Sequence, residues 1–210
     1  MKTKKAQTQG LQAAARKKRG AGAPPTIRTL AQAKAFVRRV GTCGIFSDAN
    51  GTMSCLWNVV DLPTRRPGER GWGEKVNAIW RWKNELPARY PDDIFYGKTQ
   101  SGRAVLMSVE YLCDEYHPKH HRPLRDCSAL ARQLYRQIKL EPIRTGPLRE
   151  EMNMSAGPAR PKFDRALREL QTTLNIVRRN SPLDENDTWI PFSEQYLDVV
   201  RRTQSPSLRS

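Results

Sequence analysis

Phe163, Ala166, Leu167, Leu170 and Leu174 fall at i, i+3, i+4, i+7 and i+11. That spacing puts all five on one face of a helix and commits the face to a core. Gly157, Pro158 and Pro161 precede the stripe and separate it from whatever lies upstream. The surrounding pattern is equally regular. Ser128 is placed to cap a helix carrying Ala131, Leu134, Tyr135 and Ile138, which Pro142 ends. Thr145-Gly146-Pro147 reads as the cap and first turn of a short helix reaching Met152. Residues 175–179 and 188–192 are strand-like runs joined by the polar stretch 180–187, and a last helix is expected over 193–202. Three helices, a strand, a polar loop and a strand is the order of a winged helix, with the striped helix as the reading helix and 180–187 as the wing.

The N-terminal half is more mixed. Thr29 is an N-cap for a helix over 30–40, in which Leu30, Ala33, Val37 and Val40 recur and after which Gly41 is a natural C′ residue. Asp48-Ala49-Asn50-Gly51 is a turn, 53–60 reads as a short helix in preference to a buried strand, and 61–73 as an ordered, irregular loop. A helix over 73–86 carries Val76, Ile79, Trp80 and Lys83 on one face, with Pro87 expected to end it. Residues 94–97 and 104–109 form a hairpin across 98–103, and the polar, His-rich 111–123 reads as a link. The fold class is therefore α+β and mostly helical, with a winged helix in the C-terminal half. The helical N-terminal half with its β-hairpin is a candidate for a second winged-helix-like unit. The division is a disordered basic arm (1–25), an N-terminal α+β domain (26–123), the winged-helix domain (124–202) and a frayed tail (203–210). No internal repeat is visible.

Charge selects the partner class. The 210 residues carry a net +16, of which +7 comes from Lys2, Lys4, Lys5, Arg16, Lys17, Lys18 and Arg19 in an arm without one acid. Such a field attracts polyanions, and double-stranded DNA is the partner expected for a winged helix. No apolar run is long enough to span a membrane and no secretory h-region follows the N-terminal cations, so a cytoplasmic, nucleoid-associated protein with reduced Cys43, Cys55, Cys113 and Cys127 is expected.

Three clusters carry candidate chemistry. On the striped helix, Lys162, Arg165, Arg168 and Thr172 point away from the apolar face and suit phosphates or a guanine edge, although Asp164 and Glu169 are interleaved and could pair with them. Arg178 and Arg179 lead into the wing, whose tip, Asp184-Glu185-Asn186-Asp187, is acidic, so contact falls to the helix. The second cluster interleaves Arg65, Arg66, Arg70, Trp72 and Lys75 with Trp80, Arg81, Trp82 and Lys83, as in stacking and phosphate sites; a loop packed on its own helix would look the same. Trp80 is assigned to the core, Trp72 and Trp82 to the surface. The third, Cys113, His117, His120, His121 and Cys127, has zinc-ligand types at a spacing that matches no familiar finger, so a polar linker without metal is expected. No phosphate-binding loop, dinucleotide turn, HExxH helix or GxSxG elbow occurs, and no cofactor is called for.

Further runs point to a family. Arg28-Thr29-Leu30 with Ala35-Phe36-Val37, Ser54-Cys55-Leu56-Trp57, the stretch 67–76, Trp80-Arg81-Trp82-Lys83-Asn84-Glu85-Leu86-Pro87, Ile94-Phe95-Tyr96-Gly97-Lys98 and the helix at 163–171 resemble the AlkZ-related proteins over about residues 26–202. The resemblance implies tandem winged-helix-like units and a DNA-repair context, since AlkZ-type proteins are winged-helix glycosylases that remove alkylated or crosslinked bases. Active members use a Gln-x-Gln or Gln-x-Asp motif to place a water. Here the one Gln-x-Gln is Gln7-Thr8-Gln9 in the arm, and Gln-x-Asp does not occur. The resulting expectation is a non-catalytic DNA-binding protein of repair or regulatory context. A diverged glycosylase using Glu69, Glu74 or Glu85 is the alternative, and an RNA- or ribosome-associated protein a third reading.

Overall fold

A computed structural model describes residues 26–46, 51, 53–182 and 187–204. The basic arm, most of the 48–51 turn, the tip of the expected wing at 183–186 and residues 205–210 lie outside the described residues. In chain order the elements are α1 (Leu30–Val40), β1 (Thr42–Gly44), α2 (Leu56–Val59), α3 (Glu74–Arg89), β2 (Ile94–Lys98) and β3 (Ala104–Ser108). Then come α4 (Val109–Tyr111), a π-helical turn (Leu112–Tyr116), α5 (His117–His120), a 3₁₀ turn (Leu124–Asp126), α6 (Ala129–Leu140), β4 (Ile143–Arg144) and α7 (Thr145–Glu151). The chain finishes with α8 (Ala159–Thr172), β5 (Ile176–Arg178), β6 (Thr188–Pro191), α9 (Phe192–Gln195) and α10 (Leu197–Gln204). It is an α+β protein with two three-stranded antiparallel sheets among the described residues.

The two halves share one path. Helix, strand, helix, helix, strand, strand runs through α1–β3 and again through α6–β6. In both sheets the strand order is first, third, second: β1-β3-β2 and β4-β6-β5. The repeat, not visible in the sequence, is thus one of topology. Its first strands, β1 and β4, have three and two residues, too short for an alternating pattern to register.

Local chemistry explains most boundaries. Thr29 accepts from Gln32 N while the Gln32 side chain accepts from the Thr29 backbone, a complete capping box, and Gly41 closes α1 at φ 77°. Ser128 caps α6 through Ala131 N. Thr145 is the first residue of α7 and not its cap; its hydroxyl accepts from Trp189 Nε1 at 2.8 Å. Leu174 is buried as the stripe requires, but α8 ends at Thr172 and Leu174 turns the chain at φ 56°. The expected C-terminal helix is broken at Tyr196 into α9 and α10, and α10 takes in Thr203 and Gln204 from the expected frayed tail.

Two expectations fail for clear reasons. Pro87 does not end α3, which continues to Arg89, because in the last turn a proline forfeits only its own backbone bond while Tyr90 N still donates to Leu86 O. The segment 111–123 is not a polar link: 109–120 is one continuous helical run. Leu112, Cys113 and Tyr116 join Phe95, Val105 and Met107 of the first sheet and Leu174, Val177, Ile190, Phe192, Tyr196 and Val199 of the second half in one apolar cluster. Each half also has its own core, around Trp82 and Leu86 in the first and Phe163 and Leu170 in the second.

His117 is a buried polar residue packed against this joint. It is buried, stacks on His121 at 4.7 Å and on Phe192 at 5.4 Å, and neither ring nitrogen has a hydrogen-bond partner among the described residues. Burial, reinforced by His121, lowers its pKa from 6.5 to about 4. The folded chain therefore keeps it neutral where the unfolded chain takes up a proton. Its contribution to stability is complete above pH 6.5 and is lost as the pH falls towards about 4. Urea melts at stepped pH should show this decline, flattened in His117→Phe; an identical slope in the variant would refute the assignment.

Candidate nucleic-acid interface

The outward face of α8 is set by its buried stripe. With Phe163, Ala166, Leu167 and Leu170 buried, Lys162, Arg165 and Arg168 are exposed together with Arg160. The interleaved acids do not neutralise them. Asp164 accepts from Arg149 Nη2 of α7 at 2.9 Å. Glu169 accepts from Arg122 Nη2 at 2.8 Å and from the Ser128 backbone and hydroxyl at 3.1 and 2.6 Å. Among the described residues no ion pair takes Lys162, Arg165 or Arg168. Arg160, Arg165 and Arg168 line a shallow cavity of about 390 Å³. Thr172 does not share this face: it is buried, and its hydroxyl donates to the Glu169 carbonyl at 3.2 Å. The Gln100 side chain, at the tip of the β2–β3 hairpin, donates to the Thr172 carbonyl, and Gly102 lies against the Arg168 stem. The hairpin is thus a brace under α8.

The two arginines after α8 separate. Arg179 is exposed. Arg178 is 4% exposed and points into the joint between the halves: Nη1 donates to Asn84 Oδ1 at 2.7 Å, lies 3.6 Å from Asp187 Oδ1, and the guanidinium sits 4.7 Å from the Tyr96 ring centre. It is a tie between β5 and α3, out of reach of a groove.

The arginine- and tryptophan-rich stretch is an ordered loop leading into α3. Arg66 N donates to Glu69 Oε2 at 2.9 Å, and Glu69 N to Arg66 O at 3.2 Å, around Gly68 at φ 88°. A Cβ at Gly73 would collide with the Arg65 backbone, which is why a glycine stands there. Arg65, Arg66, Arg70 and Trp72 are exposed, and Lys75 lies 4.7 Å over the Trp57 ring. The tryptophans on α3 are reversed from expectation: Trp82 is 3% exposed and belongs to the core, whereas Trp80 is 41% exposed. Residues two apart on a helix point about 200° apart, so turning the buried face onto Ala78, Ile79, Trp82 and Leu86 turns Trp80 outward. There Trp80 meets Trp72 edge-on at 5.5 Å and stacks on Phe46 at 6.4 Å, so Trp80 and Phe46, in place of Trp82, join the exposed Trp72 in one aromatic surface.

Beside that surface opens a cleft of about 560 Å³, with Trp80, Lys83 and Tyr96 on one wall, Arg144 to Pro147 on the other, and Asp187 between them. Lys83 is buried, its ammonium 3.8 Å from the Trp80 ring centre and 5.4 Å from that of Tyr96; burial first, then Arg178, pushes its pKa down. Burial first, then Arg168, lowers the pKa of Lys98 likewise. Glu69, Glu74 and Glu85 are absent from the cleft lining; Glu85 sits between Arg81 and Arg89 at 3.6 and 3.7 Å. No group of three or more His, Cys, Asp or Glu is arranged to hold a metal among the described residues, and no described helix is long and apolar enough to cross a membrane.

The described residues thus form two topologically equivalent α+β units with an exposed basic face on α8 and an aromatic-walled cleft. The sequence model of the family described as AlkZ related matches residues 27–189. The chain belongs to the AlkZ-related family. No curated protein and no solved structure matches it.

The Arg178–Asn84 tie is open to a direct test. Asn84→Ala leaves a buried guanidinium without its acceptor and should cost about 1.5–3 kcal/mol, whereas Arg179→Ala should stay within about 0.5 kcal/mol. Urea unfolding of the two variants measures the difference.

Proposed function

We propose that this protein binds double-stranded DNA through two winged-helix units, with α8 as the reading helix, and acts as a non-catalytic member of a DNA-repair or regulatory system. The helix–strand–helix–helix–strand–strand order, with strand order first, third, second, supports this reading, in which α8 is the third helix of the second unit. The observation that carries the reading is the unpaired state of Lys162, Arg165 and Arg168, whose neighbouring acids are committed elsewhere. Cations without internal partners are available to phosphates, and Arg165 or Arg168 to a guanine edge. Arg179 and the loop cations Arg65, Arg66, Arg70 and Lys75, with Trp72, extend the contact. Membership of the AlkZ-related family supports the repair context.

The non-catalytic half of the reading rests on the site's composition. The one Gln-x-Gln, Gln7-Thr8-Gln9, precedes the stretch that the family model matches, residues 27–189, and none of Glu69, Glu74 and Glu85 lines the cleft. A glycosylase needs a preorganised water-activating group facing the sugar.

Duplex affinity should fall steeply with salt. In Lys162→Ala/Arg165→Ala/Arg168→Ala the slope of log affinity against log salt should shrink by about 3, as expected for three lost phosphate contacts. Fluorescence anisotropy at several salt concentrations measures it, and an unchanged slope would sink the α8-led mode. Incubation with duplexes carrying an alkylated or crosslinked guanine should leave no abasic product; excision at stoichiometric protein would overturn the non-catalytic half.

A further inference from the structure

Lys83 is a buried cation that its surroundings leave unbalanced. The residue is only 7% exposed, and its ammonium rests on the rings of Trp80 and Tyr96 with no carboxylate or hydrogen-bond acceptor bound to it among the described residues. The carboxylate that shares its cleft, Asp187, stands 3.6 Å from Arg178, and Arg178 itself keeps one buried nitrogen, Nη2, without a partner. Two buried cations therefore divide one half-exposed carboxylate, and Arg144 adds a third positive group on the opposite wall. Ring faces return only part of the hydration an ammonium gives up, and Asp187 is shared with Arg178, so an anion entering the open cleft meets positive charge only partly offset from within.

The cleft also says what the anion is attached to. Its Trp80 wall continues into the exposed Trp72, edge-on to it at 73°, and Phe46, inclined at 29°, so aromatic faces stand beside the cationic floor. The far wall is open: a Cβ at Gly146 would meet nothing within 4 Å. A cation beside a stacking surface matches a phosphate carrying a planar heterocycle. A base paired inside a duplex cannot offer its face to these rings. We propose that the cleft binds an unpaired nucleotide, its phosphate on Lys83 and Arg144 and its base against the exposed Trp72–Trp80 pair. The source of that nucleotide as part of a strand rests on the DNA-binding reading above; the site itself does not.

The full chain, Lys83→Met and Trp80→Ala are titrated with an intact duplex, the same duplex with a short single-stranded gap, a deoxynucleoside monophosphate and inorganic phosphate. Wild type should prefer the gapped duplex by about tenfold, the scale of one stacked base. Both variants should lose that preference while intact-duplex affinity, carried by α8, changes by less than about twofold. Without ligand, Lys83→Met should melt above wild type, because its buried unpaired charge is gone. The monophosphate should raise the melting temperature of wild type and leave that of Lys83→Met unmoved. Equal affinity of wild type for gapped and intact duplex, or a preference retained in Lys83→Met, would overturn the proposal. A lower melting temperature for Lys83→Met would also overturn it, by making the ammonium a structural tie. Equal shifts with monophosphate and inorganic phosphate would overturn the stacking half. If wild type binds neither duplex while the monophosphate still shifts its melting, the DNA-binding reading fails and the nucleotide site stands.

Discussion

Phe95, Leu112, Phe192 and Tyr196 make an apolar contact that belongs to neither unit alone. Phe95 projects from β2 of the first sheet, its ring 6.2 Å from Phe192 and 5.4 Å from Tyr196 of the second half, and Leu112 from the connecting helical run closes the cluster. A three-stranded sheet with one side covered by its own helices still has another to bury, and here each sheet buries it with help from the other unit. The cleft walls come from opposite sides of this joint, Trp80, Lys83 and Tyr96 from one unit and Arg144 to Pro147 from the other. Holding them in place through a packed core means that little ordering has to be done when a ligand enters.

The joint also explains the polar groups buried beside it. Arg178 satisfies Asn84 across the two units, and Gln100 reaches from the hairpin to the end of α8. These bonds orient the units where apolar contacts alone would let them slide, since hydrogen-bond geometry is directional and dispersion is not. The same logic runs along α8. Asp164 and Glu169 are engaged with α7 and with the turn before α6, holding the helix in its unit. Acids used for internal ties leave the cations of the same helix free to face outward.

Where the chain writes its structure locally, the sequence is legible. The capping box at Thr29 and Gln32, the Ser128 cap, the stripe from Phe163 and the hairpin around Ser101-Gly102 all act within a few residues, and the elements they predict are present. What escapes is decided at a distance. The stretch 111–123 looks polar because His117, His120 and His121 are counted as polar, yet the joint packs His117 against Phe192 and buries it. Trp80 and Trp82 fit either of two overlapping stripes on α3, and only the cluster around Ile79, Leu86, Ile94 and Leu106 chooses between them. Arg178 and Thr172 have the composition of contact residues, and their burial follows from the first unit lying against them. The candidate surface on α8 was readable because an amphipathic helix fixes its outer face by fixing its inner one; the cleft was not, because it exists only between units.

Charge is distributed so that one approach to the molecule is favoured. The chain carries 37 basic and 21 acidic residues, and the acids gather in part around a second cavity of about 520 Å³ lined by Asp92, Asp93, Glu110, Glu194 and Asp198 with Arg38 and Arg202. Lys34 and Arg38 pair with Asp93 at 2.6 and 3.6 Å, so even the cations there are partly spent. None of the α8 or cleft cations lines that cavity. The acids of this cavity stand on α4, α9 and α10 and just before β2, while the cations of α8 and of the cleft line other cavities. Orientation by the long-range field comes before any specific contact. In the proposed DNA-binding mode, the unpaired arginines of α8 and the exposed Trp72 and Trp80 are the two surfaces that such a field would serve.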